Sequence, residues 1–64
     1  MDREQKLRQI VANHQAELIE GILIDASTAH MLVKVLDALN QNNKARFLSL
    51  PIVTMAKVGW KLVN

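Results

Sequence analysis

The 64-residue sequence contains no cysteine, so disulfide bridges and cysteine-based zinc sites are both excluded. Aromatic residues are almost absent as well, since only Phe47 and Trp60 occur. Half of the residues are nevertheless hydrophobic, so the core must be built from Leu, Ile, Val, Ala and Met side chains. A domain of this length buries only about 60% of the surface that its unfolded chain exposes. We therefore expect a single domain over residues 1–64 that gains stability from a partner subunit.

Long apolar runs are also missing, because no segment approaches the roughly 20 apolar residues that cross a bilayer. Residues 1–6 carry charges of both signs and lead into no apolar stretch, which differs from a secretory signal. Basic and acidic residues are interleaved along the chain and give a net charge of only +2, unlike a dense Lys/Arg stripe. These features predict a cytoplasmic protein with no membrane partner.

The first helix is predicted from apolar residues spaced three and four apart, starting at Asp2. Its apolar face is formed by Leu7, Ile10, Val11, His14 and Leu18. The helix ends either at Asn13 and His14 or after Ile19, with Gly21 in the left-handed conformation that closes helices. Residues 22–24 are expected to form a short, buried, extended connector.

The second helix is expected to begin at Asp25 or Ser27, whose short oxygen-bearing side chains suit a helix N-cap, and to run to about Asn40. Its apolar residues form two adjoining stripes and leave only a narrow polar strip. A helix that is apolar over most of its circumference must be buried on most sides. The second helix is therefore expected at the centre of the fold.

Two further helices complete the predicted fold. Asn42 or Asn43 is expected to cap a short third helix that ends at Ser49 and Leu50. Pro51 suits the first position of a fourth helix, where its missing amide proton costs nothing. The sequence thus predicts an all-α fold, a small helical bundle of three longer helices and one short helix.

The densest group of reactive side chains is Asp25, Ser27, Thr28 and His30. Helix capping explains this group, because short polar residues before a periodic apolar run are typical of a helix N-terminus. His14 lies on a different predicted element from His30, and two histidines fall short of a metal ligand set. Gly21 and Gly59 stand alone, so no glycine-rich phosphate loop is present. We therefore expect no enzyme activity, no cofactor and no metal.

A surplus of apolar helix faces indicates self-association, because a chain this short lacks the bulk to cover them. Aromatic and Met side chains are enriched at interfaces, and simple core packing is the alternative role for each of them. The candidate interface residues are Met31, Val35, Met55 and Trp60. We expect a homodimer, or binding to another protein, as the function.

A competing hypothesis is a small DNA-binding accessory protein that uses the basic residues of the last two helices. The candidate phosphate contacts are Lys44, Arg46, Lys57 and Lys61. The exposed strip of the fourth helix lacks the Arg, Asn and Gln side chains that usually read base edges. Ordinary solubilising charge is the alternative role for these residues.

Four short motifs have a familiar order and spacing: Ile24-Asp25-Ala26-Ser27-Thr28-Ala29, Leu36-Asp37-Ala38-Leu39-Asn40, Phe47-Leu48-Ser49-Leu50-Pro51 and Trp60-Lys61-Leu62-Val63. From about Gly21 to the C-terminus, the chain resembles a group of small helical proteins from bacteriophages of actinobacteria and from their hosts. The resemblance implies a phage accessory protein that acts in the host cytoplasm by binding a host or phage protein. It implies no activity, cofactor or catalytic residue.

Overall fold

The computed structural model describes residues 2–63, which form four helices and one two-stranded antiparallel sheet. The elements, in chain order, are α1 Arg3–Asn13, β1 Glu17–Ile19, β2 Ile22–Ile24, α2 Ala26–Ala38, α3 Gln41–Leu48 and α4 Ile52–Val63. The fold is mostly helical, with three longer helices and one short one, as the sequence predicts. The expectation of an all-α fold was wrong in one respect, because β1 and β2 form a hairpin between α1 and α2.

Helix α1 ends early. Its start is fixed by a capping box, in which the Asp2 side chain accepts from the Gln5 amide at 2.8 Å and the Gln5 side chain accepts from the Asp2 amide. Its end is fixed by His14, which adopts the left-handed conformation with φ 52°. The shorter of the two predicted helices is therefore correct, and Leu18 does not belong to the helical face.

The hairpin turns at Glu20 and Gly21, which both have positive φ, at 53° and 80°. Two central residues of positive φ are typical of the tight turn whose twist matches a two-residue hairpin. Gly21 thus serves a strand turn instead of closing a helix, which corrects the sequence-based expectation. Residues 22–24 are extended as predicted, but only Ile24 of the three is buried.

Helix α2 is the central element, as predicted, because it packs against both α1 and α4. Asp25 is its N-cap, and the Asp25 carboxylate accepts from the Thr28 amide at 2.7 Å. That contact lowers the pKa of Asp25. The buried residues of α2 are Ala29, Met31, Leu32, Val35 and Leu36.

Helix α3 begins earlier than expected. Asn40 is its N-cap and accepts from the Asn43 amide at 2.8 Å. The expected cap at Asn42 or Asn43 was therefore wrong, because both residues lie in the first helical turn. The helix ends before Ser49, as predicted. Pro51 immediately precedes α4, where its carbonyl accepts from the Met55 amide at 2.9 Å.

The core joins all of these elements and covers itself well for a chain of this size. The accessible surface is 4247 Å², against about 4,100 Å² for an average folded monomer of 7.2 kDa. The radius of gyration is 10.6 Å, against about 10.7 Å for a compact chain of this length. Size alone therefore does not require a partner subunit. Within residues 2–63, every helix is too short or too polar to span a bilayer.

Candidate interaction surfaces

Three of the four candidate interface residues lie inside the chain's own core. Met31, Val35 and Met55 are buried by packing between the helices, with no more than 5% of any of them exposed. The expected second apolar face is thus mostly covered from within, and of these three residues only the edge of Met31 reaches a surface cleft. Only Trp60 remains at the surface, with 42% of the residue exposed.

Trp60 directly follows Gly59, which packs against Met31 and Leu32 of α2. A Cβ atom at Gly59 would lie 2.6 Å from Met31 Sδ, so any larger residue at this position requires the end of the Met31 side chain to move. Each helical residue is rotated by about 100° from its neighbour. Trp60 therefore points along the edge of the α2–α4 contact instead of into it.

The result is an open cleft of about 280 Å³ between α2 and α4, called here the Trp60 cleft. It is lined by Ser27, His30, Met31, Lys34, Trp60 and Val63. Trp60, Val63 and the edge of Met31 supply apolar surface, while Lys34 supplies a positive charge at the rim. Ser27 and His30 share this cleft, but among the described residues no hydrogen bond joins them. The arrangement suits contact with an apolar side chain that has an acidic neighbour.

The second exposed apolar surface lies on the hairpin. Leu18 and Leu23 are directly opposite each other across the two strands, with 59% and 65% of the residues exposed. Opposite residues of an antiparallel pair point to the same side of the sheet. The partners Ile19 and Ile24 on the other side are buried, so Leu18 and Leu23 form an outward apolar ridge, called here the hairpin face.

The sequence carries a signal for this hairpin that the helical interpretation overlooked. Two short apolar runs, residues 18–19 and 22–24, are separated by only Glu20 and Gly21. Apolar runs rich in isoleucine with a two-residue, glycine-containing gap are typical of a hairpin. The gap lacks the more familiar Asn-Gly or Asp-Gly pair, which made the signal weaker.

Arg3 holds the hairpin in place and was also missed. Its guanidinium donates to Glu20 Oε2 at 2.8 Å, and to the backbone carbonyls of Leu48 and Leu50 at 2.5 Å each. One side chain from α1 thus ties the hairpin turn to the end of α3 and to the segment that follows it. No local pattern predicts such a contact, because the partners of Arg3 are 17, 45 and 47 residues away.

One of the four candidate phosphate contacts, Lys44, takes part in an ion pair within the chain. Lys44 pairs with Glu4 at 3.0 Å, and Glu4 also pairs with Arg8 at 2.9 Å. The contact with Lys44, followed by that with Arg8, lowers the pKa of Glu4. A second open cleft, of about 440 Å³, borders this pair and is lined by Glu4, Gln41, Lys44, Ala45 and Leu48. Lys44 is therefore engaged within the chain.

Arg46, Lys57 and Lys61 are exposed and take part in no ion pair among residues 2–63. Lys57 and Lys61 are one turn apart on α4, which carries no acidic residue. Within the same described range, no three His, Cys, Asp or Glu side chains come together as a metal site requires.

Comparisons with known protein families, with curated proteins and with solved structures find no match to this chain. The resemblance to small actinobacterial phage proteins therefore stays a prediction.

Proposed function

We propose that this chain is a small, non-enzymatic protein–protein interaction module that associates with a second copy of itself. The observation that supports this proposal is the presence of two exposed apolar surfaces, the Trp60 cleft and the hairpin face. Both remain open although the chain otherwise covers its core as well as an average monomer does. The sequence resemblance adds a cellular context, a bacteriophage accessory protein acting in the host cytoplasm.

The composition of these surfaces favours association over ordinary surface exposure. Single exposed apolar residues are normal on a soluble protein and need no explanation. A half-exposed tryptophan beside a cleft is less common, and tryptophan is enriched among the residues that dominate binding energy at interfaces. The ridge of Leu18 and Leu23 places two leucines side by side on a strand pair with free edges, a feature that favours pairing with another chain.

The test is the mass of the wild-type protein in solution, measured by analytical ultracentrifugation over a wide range of concentrations. We expect the mass to rise with concentration from the monomer value of 7.2 kDa towards twice that value. Because the contact is mainly apolar, we expect the dimer to persist at high salt. A mass that stays at the monomer value up to the solubility limit contradicts the proposal.

The alternative, a small DNA-binding accessory protein, is favoured by the exposed Lys57 and Lys61 on a helix without acidic residues. This alternative has fewer basic side chains available for phosphate contacts than the sequence indicated, because Lys44 is paired with Glu4. Its test is the fluorescence anisotropy of a labelled DNA duplex, titrated with protein at several salt concentrations. Binding that weakens steeply with salt and is lost in Lys57→Ala with Lys61→Ala supports DNA binding.

A further inference from the structure

Helix α3 buries fewer side chains than any other helix of the chain. Phe47 is its one buried residue, and five of its eight residues are exposed, whereas α2 buries five residues. The space between α1 and α3 is not filled either, because Glu4 of α1 and four residues of α3 line an open cleft of about 440 Å³. A helix of eight residues is unstable on its own in water. Helix α3 therefore depends on its few contacts with the rest of the chain.

The side-chain polar contacts that join α3 to other elements come from the first turn of α1. Glu4 Oε2 lies 3.0 Å from Lys44 Nζ, in an ion pair beside the open cleft. The Arg3 guanidinium donates to the carbonyl of Leu48, the last residue of α3, and to that of Leu50, at 2.5 Å each. The last carbonyls of a helix lack partners within it and carry the negative end of its dipole, so a cation is favourable there. Arg3 and Glu4 thus hold the middle and the end of α3, and they are called here the α1 clasp.

We infer that the α1 clasp controls a local opening of α3, in which α3 unfolds while the other helices and the hairpin stay packed. Segments that bury little apolar surface open at a lower free energy than the core of the same protein. The open state exposes Phe47, one of the two aromatic side chains of the chain. This opening is separate from the proposed self-association, because neither the Trp60 cleft nor the hairpin face includes a residue of α3.

The clasp is sensitive to acid through Glu4. This carboxylate is faced by Lys44 of α3 and by Arg8 of α1, at 3.0 and 2.9 Å, and Arg8 also pairs with Asp37 of α2 at 2.7 Å. The contact with Lys44, followed by that with Arg8, holds the pKa of Glu4 below its ordinary value. A carboxylate with a lowered pKa stabilises the fold above its unfolded pKa, and this stabilisation is lost as the pH falls through the folded pKa. The clasp is therefore closed at neutral pH and weakened by acid.

Hydrogen exchange of single amides, measured by NMR at neutral pH, separates local opening from global unfolding. After correction for intrinsic rates, amides 45–48 of α3 are expected to exchange at least about tenfold faster than amides 32–36 of α2. Ile10→Val trims a fully buried side chain about two turns along α1 from Arg3. It should speed the exchange of the α2 amides about two- to tenfold. The α3 amides should be unchanged, because the packing of Ile10 is kept in the open state.

Neutral substitutions in the clasp should act on α3 directly. Lys44→Met keeps the apolar stem and removes the ion pair, so it should raise the opening constant of α3 about threefold. Arg3→Met should raise it at least about tenfold, because two carbonyls lose a charged donor. Lys57→Met is the matched control, since it makes the same change at an exposed lysine that forms no ion pair among residues 2–63. This control should leave the exchange of α3 unchanged.

Glu4→Gln imitates the protonated carboxyl and tests the sensitivity to acid. It should raise the opening constant of α3 at neutral pH and remove the further rise that acid causes in the wild-type chain. Lys44→Met should add little to Glu4→Gln, because the two residues act through one contact. Asp37→Asn is the control, since Asp37 also pairs with Arg8 but forms no ion pair with α3 in the described part of the chain. Its effect on α3 should be smaller.

Each outcome either supports or overturns the inference. Equal exchange in α3 and α2, or equal acceleration of both by Ile10→Val, means that α3 opens only when the whole chain unfolds, and overturns it. A local opening that Lys44→Met, Arg3→Met and Glu4→Gln all leave unchanged overturns the role of the clasp. Lys44→Met changes a partly exposed side chain, so it keeps the test valid if Arg3→Met does not fold. Faster exchange of α3 in the clasp variants and not in Lys57→Met supports the inference.

Discussion

Helix α2 and the hairpin contain similar proportions of apolar residues but hide them very differently. Helix α2 has a helix packed against it from each of two directions, so most of its large apolar side chains are covered, and Ala38 at its end is the exposed exception. The hairpin has two strands, and only one side of a two-stranded sheet rests on the core. Its other side keeps Leu18 and Leu23 in solvent. An apolar pattern therefore predicts burial only where another element is available to cover it.

The sharpest way to break this comparison is to truncate one leucine in each region. Leu32 of α2 is fully buried, whereas 65% of Leu23 on the hairpin is exposed. We expect Leu32→Ala to lower the free energy of unfolding by about 2–5 kcal/mol, because it removes buried methyl groups and leaves a cavity. Leu23→Ala should change it by less than about 0.5 kcal/mol.

Urea denaturation followed by circular dichroism measures both variants, at a concentration low enough to keep association out of the result. A chain of this length has a total stability of about 3–10 kcal/mol, so Leu32→Ala can unfold most of the protein. Similar losses for the two variants would mean that the hairpin face is covered in solution. That result would contradict the contrast between the two regions.

The parts of the fold that rest on local chemistry could be predicted from the sequence. Side-chain oxygens narrowed the N-cap of α2 to Asp25 or Ser27, the ring of Pro51 predicted the end of α3, and periodicity predicted the central place of α2. The hairpin was missed because the spacing of Leu18 also continues the helical face of α1, and a left-handed His14 is what ends that helix. Local patterns of three and four residues do not distinguish these alternatives.

The candidate surfaces were predicted less well, because exposure depends on the arrangement of distant elements. Met31, Val35 and Met55 lie on a second apolar face, as predicted, but the packing of α1 and α4 around α2 covers them. Trp60 is 42% exposed because Gly59, the residue before it, is the one that faces α2. Which of the adjoining faces of α4 meets α2 depends on the packing of the helices, and the sequence period alone does not report it.

The attachment of the hairpin to the rest of the fold gives the next largest expected effect. The Arg3 side chain is only 20% exposed and joins Glu20 to the carbonyls of Leu48 and Leu50. We expect Arg3→Met to cost about 1.5–3 kcal/mol, because partly buried acceptors lose a charged donor while the apolar stem is kept. Hydrogen exchange should also show faster opening of the hairpin amides.

Arg8→Met is the matched control for this prediction. Arg8 pairs with Glu4 and Asp37 but has 42% of its side chain exposed, so its loss should cost no more than about 1 kcal/mol. If Arg3→Met and Arg8→Met lower the free energy of unfolding by the same amount, Arg3 acts as an ordinary surface charge. The hairpin would then be held by Ile19 and Ile24 alone.

The smallest expected effects come from the two glycines, one in each region, which are needed for opposite reasons. Gly21 has φ 80° with no atom within 4 Å of an added Cβ, so Gly21→Ala strains only the backbone. We expect a loss of about 1–2 kcal/mol. Gly59 has no such constraint on φ, but an added Cβ would lie 2.6 Å from Met31 Sδ. Gly59→Ala combines about 1 kcal/mol of helix gain with about 1–3 kcal/mol of overpacking, which leaves a net loss of at most about 2 kcal/mol.

The two losses should be reduced in different ways. Asparagine tolerates the left-handed conformation better than alanine does, so Gly21→Asn should cost less than Gly21→Ala. Gly59→Ala should instead be relieved by Met31→Ala, and the double variant should lose less stability than the sum of the single ones. If Met31→Ala reduces the stability loss of Gly59→Ala but not that of Gly21→Ala, Gly59 is needed for space between α2 and α4. Gly21 is then needed for the backbone conformation of the hairpin turn. A purely additive double variant would mean that Met31 moves aside freely, and that the close approach of the two helices does not depend on Gly59.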